Sequence, residues 1–148
     1  MAAANYRSLD EMPPRSTFSL LMGIEIVTCT PEEVVCTMTA TEAMSNRNGV
    51  LHGGALMTLA DTAAGTAAFI CSPANITNTT IEAKTNFIRA VKLGETVTAR
   101  CAPVHVGRTT AVLEVTMTRD DGKVVGIATQ THLYLGGNEG ESAKREEK

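Results

Sequence analysis

The sequence predicts an α+β protein in which a curled antiparallel sheet wraps one long central helix, and three observations lead to that fold class. Residues 53–70 form an apolar stretch of helical length with a single charged residue. Two predicted strands precede this stretch, and further strands with alternating apolar and polar residues follow it. A helix that is apolar nearly all round must be covered, and an antiparallel sheet curled around it is the simplest cover.

The predicted elements follow one another along a single domain, as expected for 148 residues. We predict a flexible segment over residues 1–15, the domain over 16–135 and a disordered polar tail over 136–148. Within the domain we expect a short helix, two strands, the long helix and four later strands, at residues 18–22, 24–29, 33–39, 53–70, 80–88, 97–101, 111–117 and 125–135. Asp121-Gly122 predicts a tight hairpin turn before the last strand.

Composition argues against several kinds of partner. The net charge is -3 and aromatic residues make up 3%, which does not suit a nucleic-acid-binding surface. No run reaches the ~18 apolar residues of a membrane span. The N-terminus has no apolar core of signal-peptide length, so we expect a cytoplasmic protein without a membrane partner. The four cysteines lack CxxC spacing and the three histidines lack ligand spacing, so reduced, packed thiols and no metal site are expected.

The long helix has two different faces. One is wide and apolar and consists of Leu56, Leu59, Ala60, Ala63, Ala64, Ala67 and Ile70. The opposite face, called here the Asp61 stripe, consists of Met57, Thr58, Asp61, Thr62, Gly65, Thr66 and Phe69. We expect Asp61 to be buried or half-buried without a basic neighbour, at a cost of roughly several kcal/mol that is typical of a functional site. The alternative interpretation is a helix–helix interface in which neighbouring threonines donate hydrogen bonds to Asp61.

The start of the helix offers a second chemical feature. Gly53 and Gly54 leave first-turn N–H groups open, at the end of the helix dipole that favours a carbonyl oxygen gaining negative charge. A tight turn with unusual dihedrals is the alternative interpretation of these glycines. Gly53 and Asp61 lie ~12 Å apart along one helix, whereas a base must come within ~3 Å of the proton it takes. One carbonyl can therefore meet both groups only between two antiparallel copies, which predicts a homodimer with two shared sites.

These motifs resemble the PaaI-type acyl-CoA thioesterases of the hotdog superfamily over residues 20–135. The resemblance rests on Asn46-x-x-Gly49-x-x-His52-Gly53-Gly54, Leu59-Ala60-Asp61, Asn86-Phe87-Ile88-Arg89-Ala90, Gly94-Glu95 and Gly107-Arg108-Thr109. It implies the hotdog fold, hydrolysis of an acyl-CoA, and assembly into dimers or dimers of dimers. Family members often have proline where this chain has Ala90, a difference that concerns strand geometry more than chemistry.

The resemblance also implies roles for individual residues. Asp61 matches the catalytic acid, which acts as a general base on water or as a nucleophile. Gly53 matches the glycine whose N–H polarises the thioester carbonyl, and Asn46 and His52 match residues that line the same pocket from the other subunit. Thr80, or Thr79 beside it, falls at the position where relatives have a Ser or Thr that helps to hold the attacking water.

The substrate itself supplies the coenzyme A, so no separate cofactor is expected. Arg89, Lys92 and Arg108 are candidates to bind its negatively charged nucleotide end, with ordinary solvated surface as the alternative. A non-catalytic acyl-CoA-binding or sensing hotdog protein is the second functional hypothesis, although such a protein has no need of Asp61. Aryl, short-chain and medium-chain acyl groups all remain open.

Overall fold

The computed structural model describes residues 7–136, so residues 1–6 of the predicted flexible segment and 137–148 of the predicted tail lie outside it. The helices are α1 (Thr17–Leu21) and α2 (Gly53–Cys71). The strands are β1 (Glu25–Cys29), β2 (Val34–Thr39), β3 (Ile76–Phe87), β4 (Thr96–Val106), β5 (Thr110–Arg119) and β6 (Val124–Gly136). Short 3-10 turns cover Leu9–Glu11 and Glu42–Met44.

The six strands form one antiparallel sheet in the order β1-β2-β4-β5-β6-β3. This is the predicted α+β architecture, in which α2 packs against every strand of the sheet. Gly122 has a φ of 76° in the predicted hairpin turn, a conformation that glycine adopts at little cost. Because β3 is the last strand in the order, its outer edge has no partner within the described chain.

The core lies between the concave face of the sheet and α2. Apolar residues that alternate along the central strands are all buried: Val97, Ala99, Cys101, Ala111, Leu113, Val115 and Met117. The predicted apolar face of α2 is buried as well, from Leu56 to Ile70. The helix α2 is long and apolar enough to cross a membrane. Core helices of globular domains often have the same length and composition, and here the sheet covers one side of α2.

The expectation of a buried Asp61 is wrong for the single chain. The sheet covers mainly the apolar face of α2, and the Asp61 stripe is only partly covered: Asp61 is exposed and Met57 is 40% exposed, although Thr66 is buried. The absence of charged residues on this side therefore does not reflect burial within one chain. It leaves a helix surface that is uncharged apart from Asp61, beside the exposed Phe18 of α1.

The cysteines are free thiols that pack around one part of the core. Cys36, Cys71 and Cys101 are buried and Cys29 is half-buried. Burial, reinforced by neighbouring thiols, raises the pKa of Cys36 and of Cys101 to about 12. These side chains therefore stay protonated at neutral pH and behave as small apolar groups.

Candidate active site

The N-terminus of α2 is shaped by His52. The His52 side chain caps the helix, with Nδ1 accepting a hydrogen bond of 2.8 Å from the N–H of Gly54. The expectation that both glycine N–H groups are open is therefore wrong for Gly54, because its N–H is already used. The N–H of Gly53 has no hydrogen-bond acceptor among residues 7–136. Gly53 thus supplies the unpaired donor at the positive end of the helix dipole.

A compact loop before the helix positions Asn46. Its Oδ1 accepts hydrogen bonds from the backbone N–H groups of Asn48, at 2.8 Å, and Val50, at 3.4 Å. With the amide oxygen used in this way, the amide nitrogen remains to donate into the adjacent cleft. Asn46 and Gly53 line this cleft together, and its volume is about 370 Å³.

Phe87 closes one side of the same cleft. A Cβ atom placed on Gly53 would lie 3.1 Å from Cε1 and Cζ of the Phe87 ring, closer than an ordinary contact. A larger residue at position 53 would therefore push Phe87 away from the helix. After Phe87 the chain leaves the sheet, and the carbonyl of Ala90 accepts a hydrogen bond of 3.0 Å from Arg119. The segment that differs from the family at Ala90 thus borders the cleft beside Gly53.

Asp61 has one side-chain partner, which comes from the sheet. The hydroxyl of Thr80 donates a hydrogen bond of 2.9 Å to Asp61 Oδ1. The hydroxyls of the helix threonines donate instead to the carbonyl four residues earlier, at 2.8 to 2.9 Å, in Thr58, Thr62 and Thr66. Neighbouring threonines of the stripe therefore do not hold Asp61, contrary to the interface interpretation.

A β-bulge in β3 allows this contact and that of Phe87 with the start of α2 to form on the same face of the strand. Thr80 pairs with His132 and Glu82 with Thr131, so Ile81 has no partner in β6 and the register shifts. In a regular strand Thr80 and Phe87 would point to opposite faces, because they are seven residues apart. The extra residue allows both to face α2, Thr80 at Asp61 and Phe87 at Gly53. Thr79 points to the other face of the sheet, so the geometry favours Thr80 over Thr79 as the threonine that holds the water.

The two halves of the predicted site lie apart in one chain. Asp61 borders clefts of about 340 and 330 Å³, and neither contains Gly53 or Asn46. The separation of Gly53 and Asp61 along α2 is ~12 Å, too long for both to meet one carbonyl. A single chain therefore holds two incomplete halves.

The predicted basic residues also separate into two places. Arg89 lines the cleft beside Gly53 and donates a hydrogen bond of 2.6 Å to the carbonyl of Val124, at the start of β6. Lys92 pairs through its backbone with Val50 on the same side. Arg108 follows β4, in the turn where the carbonyl of Thr109 accepts from Tyr134, near the end of β6. Arg89 therefore lies near Val124 and Arg108 near Tyr134, and the ten residues of β6 between these points span ~33 Å. Arg89 and Arg108 of one chain are too far apart to contact each other.

Three polar residues near Asp61 are not among those that the sequence motifs select. His132 and Gln130 are both 1% exposed on β6, and His132 is bonded to Asn78 of β3. Burial lowers the pKa of His132, against an opposite, smaller influence of the Asp61 charge. Alternation along β6 predicts two of them, since Gln130 and His132 occupy the inward positions between Ala128 and Tyr134. Within residues 7–136, no three His, Cys, Asp or Glu side chains are grouped to hold a metal ion.

Comparison with known proteins defines the class. The sequence profile of the thioesterase superfamily matches residues 48–126. The acyl-coenzyme A thioesterase PaaI of Escherichia coli is 30% identical over 78% of this chain and 81% of its own length. The solved structure of E. coli PaaI has a TM-score of 0.78, covering 83% of this chain and 87% of that one at 28% identity.

Two further relatives agree with this result. Mouse acyl-coenzyme A thioesterase 13 is 28% identical over 77% of this chain and 82% of its own. A hypothetical thioesterase of Streptococcus pneumoniae TIGR4, crystallised with coenzyme A, is 32% identical with a TM-score of 0.71, covering 76% of this chain and 89% of that one. The chain belongs to the thioesterase superfamily, and its fold and relatives make it a PaaI-type hotdog thioesterase. It is thus a thioester hydrolase, as its motifs predict.

Proposed function

We propose that this protein hydrolyses an acyl-CoA thioester to a free acid and coenzyme A, with Asp61 as the catalytic carboxylate. The single observation that carries the proposal is the hydrogen bond from Thr80 to Asp61, which holds an exposed carboxylate in a fixed orientation. The names of PaaI and of acyl-coenzyme A thioesterase 13, and the coenzyme A bound to the pneumococcal relative, support the substrate class. The cytoplasm stays the expected location.

Each complete site requires two subunits. An antiparallel pair of α2 helices related by a two-fold axis near Met57 brings Asp61 of one subunit to Gly53 of the other, because Met57 lies midway between them. Two features support such a pair: the outer edge of the twelve-residue strand β3 has no partner among residues 7–136, and the Asp61 stripe is uncharged apart from Asp61. A long unpaired edge is a ready surface for pairing with another copy.

The thioester carbonyl accepts hydrogen bonds from the N–H of Gly53 and the amide nitrogen of Asn46. Both donors line one cleft, and neither has an acceptor within residues 7–136. Donors fixed before the reaction stabilise the negative charge that develops on the carbonyl oxygen, an effect of about 2.7–4 kcal/mol for one donor in other acyl-transfer enzymes. In this scheme His52 acts indirectly, because its Nδ1 is committed to capping the helix.

Asp61 and Thr80 orient the attacking water. Thr80 donates to Asp61 Oδ1, so its oxygen lone pairs and Asp61 Oδ2 remain to accept the two water protons. The water oxygen then bonds to the carbonyl carbon, Asp61 takes a proton, and the proton passes to the sulfur as the C–S bond breaks. A donor on Oδ1 favours this role over direct nucleophilic attack by Asp61. Release of coenzyme A in a burst ahead of the free acid would instead indicate an acyl-Asp61 intermediate.

Cations at both ends of the sheet can hold the nucleotide end of coenzyme A. Arg89 and Lys92 lie on the Gly53 side of the subunit, and Arg108 lies at the opposite end. A two-fold axis exchanges the two ends, so we propose that Arg108 of one subunit and Arg89 with Lys92 of the other flank the same nucleotide. The coenzyme A phosphates are negatively charged, so cationic side chains on both sides of the nucleotide would attract them.

The test is free-thiol release from acetyl-, hexanoyl-, decanoyl-, benzoyl- and phenylacetyl-CoA. We expect wild type to hydrolyse at least one of these, and Asp61→Asn to lower its kcat by at least ~100-fold while the dimer persists. Asp10→Asn, which removes an exposed carboxylate from the first 3-10 turn, is the matched control with full activity. Binding of acyl-CoA without thiol release would favour the non-catalytic hypothesis, and an active Asp61→Asn would end the proposed role of Asp61.

A further inference from the structure

The buried histidine of β6 lies directly beside the proposed catalytic pair. His132 is the cross-strand partner of Thr80, and both side chains face α2. A Cβ atom placed on Gly65 would be 3.9 Å from Cε1 of the His132 ring, so the ring packs beneath the turn of α2 that follows Asp61. Most side chains on the concave face of the sheet are apolar, which makes a polar cluster at this position unusual.

The hydrogen bonds around His132 determine one tautomer. The Asn78 amide nitrogen lies 3.2 Å from His132 Nδ1 and 3.4 Å from the carbonyl of Gly65. An amide nitrogen can only donate, so its two protons serve these two acceptors and Nδ1 carries no proton. His132 Nε2 then donates to Gln130 Oε1 at 3.1 Å. The lowered pKa of His132, caused by burial, agrees with a neutral ring.

This network connects the same elements as the Asp61–Thr80 hydrogen bond. Gly65 lies one helical turn after Asp61, and Asn78 lies two residues before Thr80 on the same face of β3. The bonds of Asn78 to α2 and to β6 thus fix β3 just before its bulge. A shift of β3 relative to α2 would separate the Thr80 hydroxyl from Asp61, and misplacement by ~1 Å can cost ~100-fold in rate.

We propose that His132 is a positioning residue: by accepting from Asn78 and donating to Gln130, it holds β3 at the distance from α2 at which Thr80 reaches Asp61. The inference rests on the proposed function, because it concerns the geometry of the same carboxylate. His132 does not touch the substrate in this scheme, and its effect on hydrolysis passes through Thr80.

Two substitutions separate the two hydrogen bonds of the ring. His132→Asn keeps an acceptor near the position of Nδ1 for Asn78, whereas His132→Gln keeps a donor near Nε2 for Gln130. Because the bond to Asn78 leads to β3, we expect His132→Asn to retain most of the wild-type kcat. His132→Gln is expected to lose roughly 10- to 100-fold in kcat with little change in KM. Tyr134→Phe is the matched control, since it removes a different hydrogen bond of an inward-facing β6 side chain, the one that Tyr134 donates to the carbonyl of Ala68 on α2.

The experiment measures kcat, KM and the thermal midpoint of each variant with the acyl-CoA that wild type hydrolyses fastest in the panel above. Thr80→Val is made alone and together with His132→Gln. If His132 acts through Thr80, the loss caused by His132→Gln shrinks to about threefold or less in the Thr80→Val background. An equal loss in both backgrounds overturns the inference, as does a lowered thermal midpoint with unchanged kcat.

The Asp61→Asn variant keeps the two proposals distinguishable. If Asp61→Asn is inactive but the effects of His132→Gln and Thr80→Val are independent, only the positioning role fails. If Asp61→Asn hydrolyses the substrate at the wild-type rate, the proposed function and the positioning role fail together. Equal loss of kcat in Tyr134→Phe and His132→Gln would assign both residues to general packing and would also overturn the positioning role.

Discussion

Thr80 donates a hydrogen bond of 2.9 Å to Asp61, and this contact joins the middle of α2 to the edge strand of the sheet. The two residues are nineteen positions apart, and a bulge directly after Thr80 shifts the register of β3 against β6. The contact selects one oxygen of Asp61 and leaves the other available. It is the clearest indication that the exposed carboxylate has a prescribed orientation.

The first prediction compares the two adjacent threonines of β3. Thr80→Val removes the hydroxyl that orients Asp61 and should lower kcat by roughly 10- to 100-fold, the scale of a misplaced catalytic group. Thr79→Val has the same chemistry on the opposite face of the strand and should leave kcat within about twofold of wild type. Steady-state kinetics of both variants provide the measurement, and equal effects would mean that the hydroxyl of Thr80 has no special role.

The second prediction concerns the nucleotide end of coenzyme A. Lys92→Ala and Arg108→Ala should raise KM for an acyl-CoA more than they lower kcat, because a phosphate contact is similar in the ground and transition states. The rise should diminish with salt, since exposed ion pairs are screened over about 8–10 Å. Arg89→Ala should behave alike, with an added loss of stability because Arg89 also bonds to the carbonyl of Val124.

The controls for this prediction use a shorter substrate and a distant arginine. KM for the corresponding pantetheine thioester, which lacks the nucleotide, should not respond to any of these changes. Arg100→Ala breaks only an exposed ion pair with Glu33 and should leave both KM values unchanged. If KM rises equally for the acyl-CoA and for the pantetheine thioester, the basic residues support the fold and do not bind the nucleotide.

The third prediction is a loss of stability in alkaline solution. In the unfolded chain a thiol ionises near its ordinary pKa of 9.0, whereas in the folded protein burial raises the pKa of Cys36 and Cys101 to about 12. Between these values the folded state binds more protons, so the free energy of unfolding is unaffected below 9.0 and falls as pH rises towards 12.

The measurement is urea unfolding at several pH values for wild type and for Cys36→Ala and Cys101→Ala. Each variant is expected to start less stable, because a buried side chain has been shortened, but to lose less stability per pH unit. Identical pH slopes in all three proteins would show that the buried thiols do not cause the loss.

Residue patterns predict the parts of the fold that depend on local chemistry. Alternation identifies β4 and β5, Asp121-Gly122 identifies the hairpin turn, and the charge-poor stretch identifies α2 almost to the residue. The same patterns fail where the outcome depends on distant pairing. The bulge after Thr80 is determined by the register of β3 against β6. The separation of Arg108 from Arg89 is determined by how the strands are arranged in the sheet.

The site shows the same division. Motifs identify Gly53 and Asp61, but they do not reveal that His52 uses a ring nitrogen to cap the helix. A lack of charge around Asp61 predicts burial, yet the chain alone leaves Asp61 exposed, because its own sheet covers mainly the apolar face of α2. The motifs do not identify His132, because a lone histidine has no recognisable spacing and its proposed role depends on Asn78 from another strand.

The central claim, that Asp61 of one subunit acts with Gly53 and Asn46 of the other, is tested most directly by subunit exchange. Asp61→Ala and Asn46→Ala proteins are each expected to be nearly inactive. When they are mixed and exchanged, the heterodimer has one doubly damaged site and one intact site. Equal mixing should therefore restore about a quarter of wild-type activity.

The matched control mixes wild type with a chain that has both substitutions. With shared sites the heterodimer has no intact site, and activity per total protein falls to about a quarter of wild type, whereas sites within one subunit would leave about half. We predict recovery in the first mixture and the fall to a quarter in the second. No recovery despite demonstrated exchange, with half the activity in the control, would place Asp61 and Asn46 in one subunit and contradict the shared site.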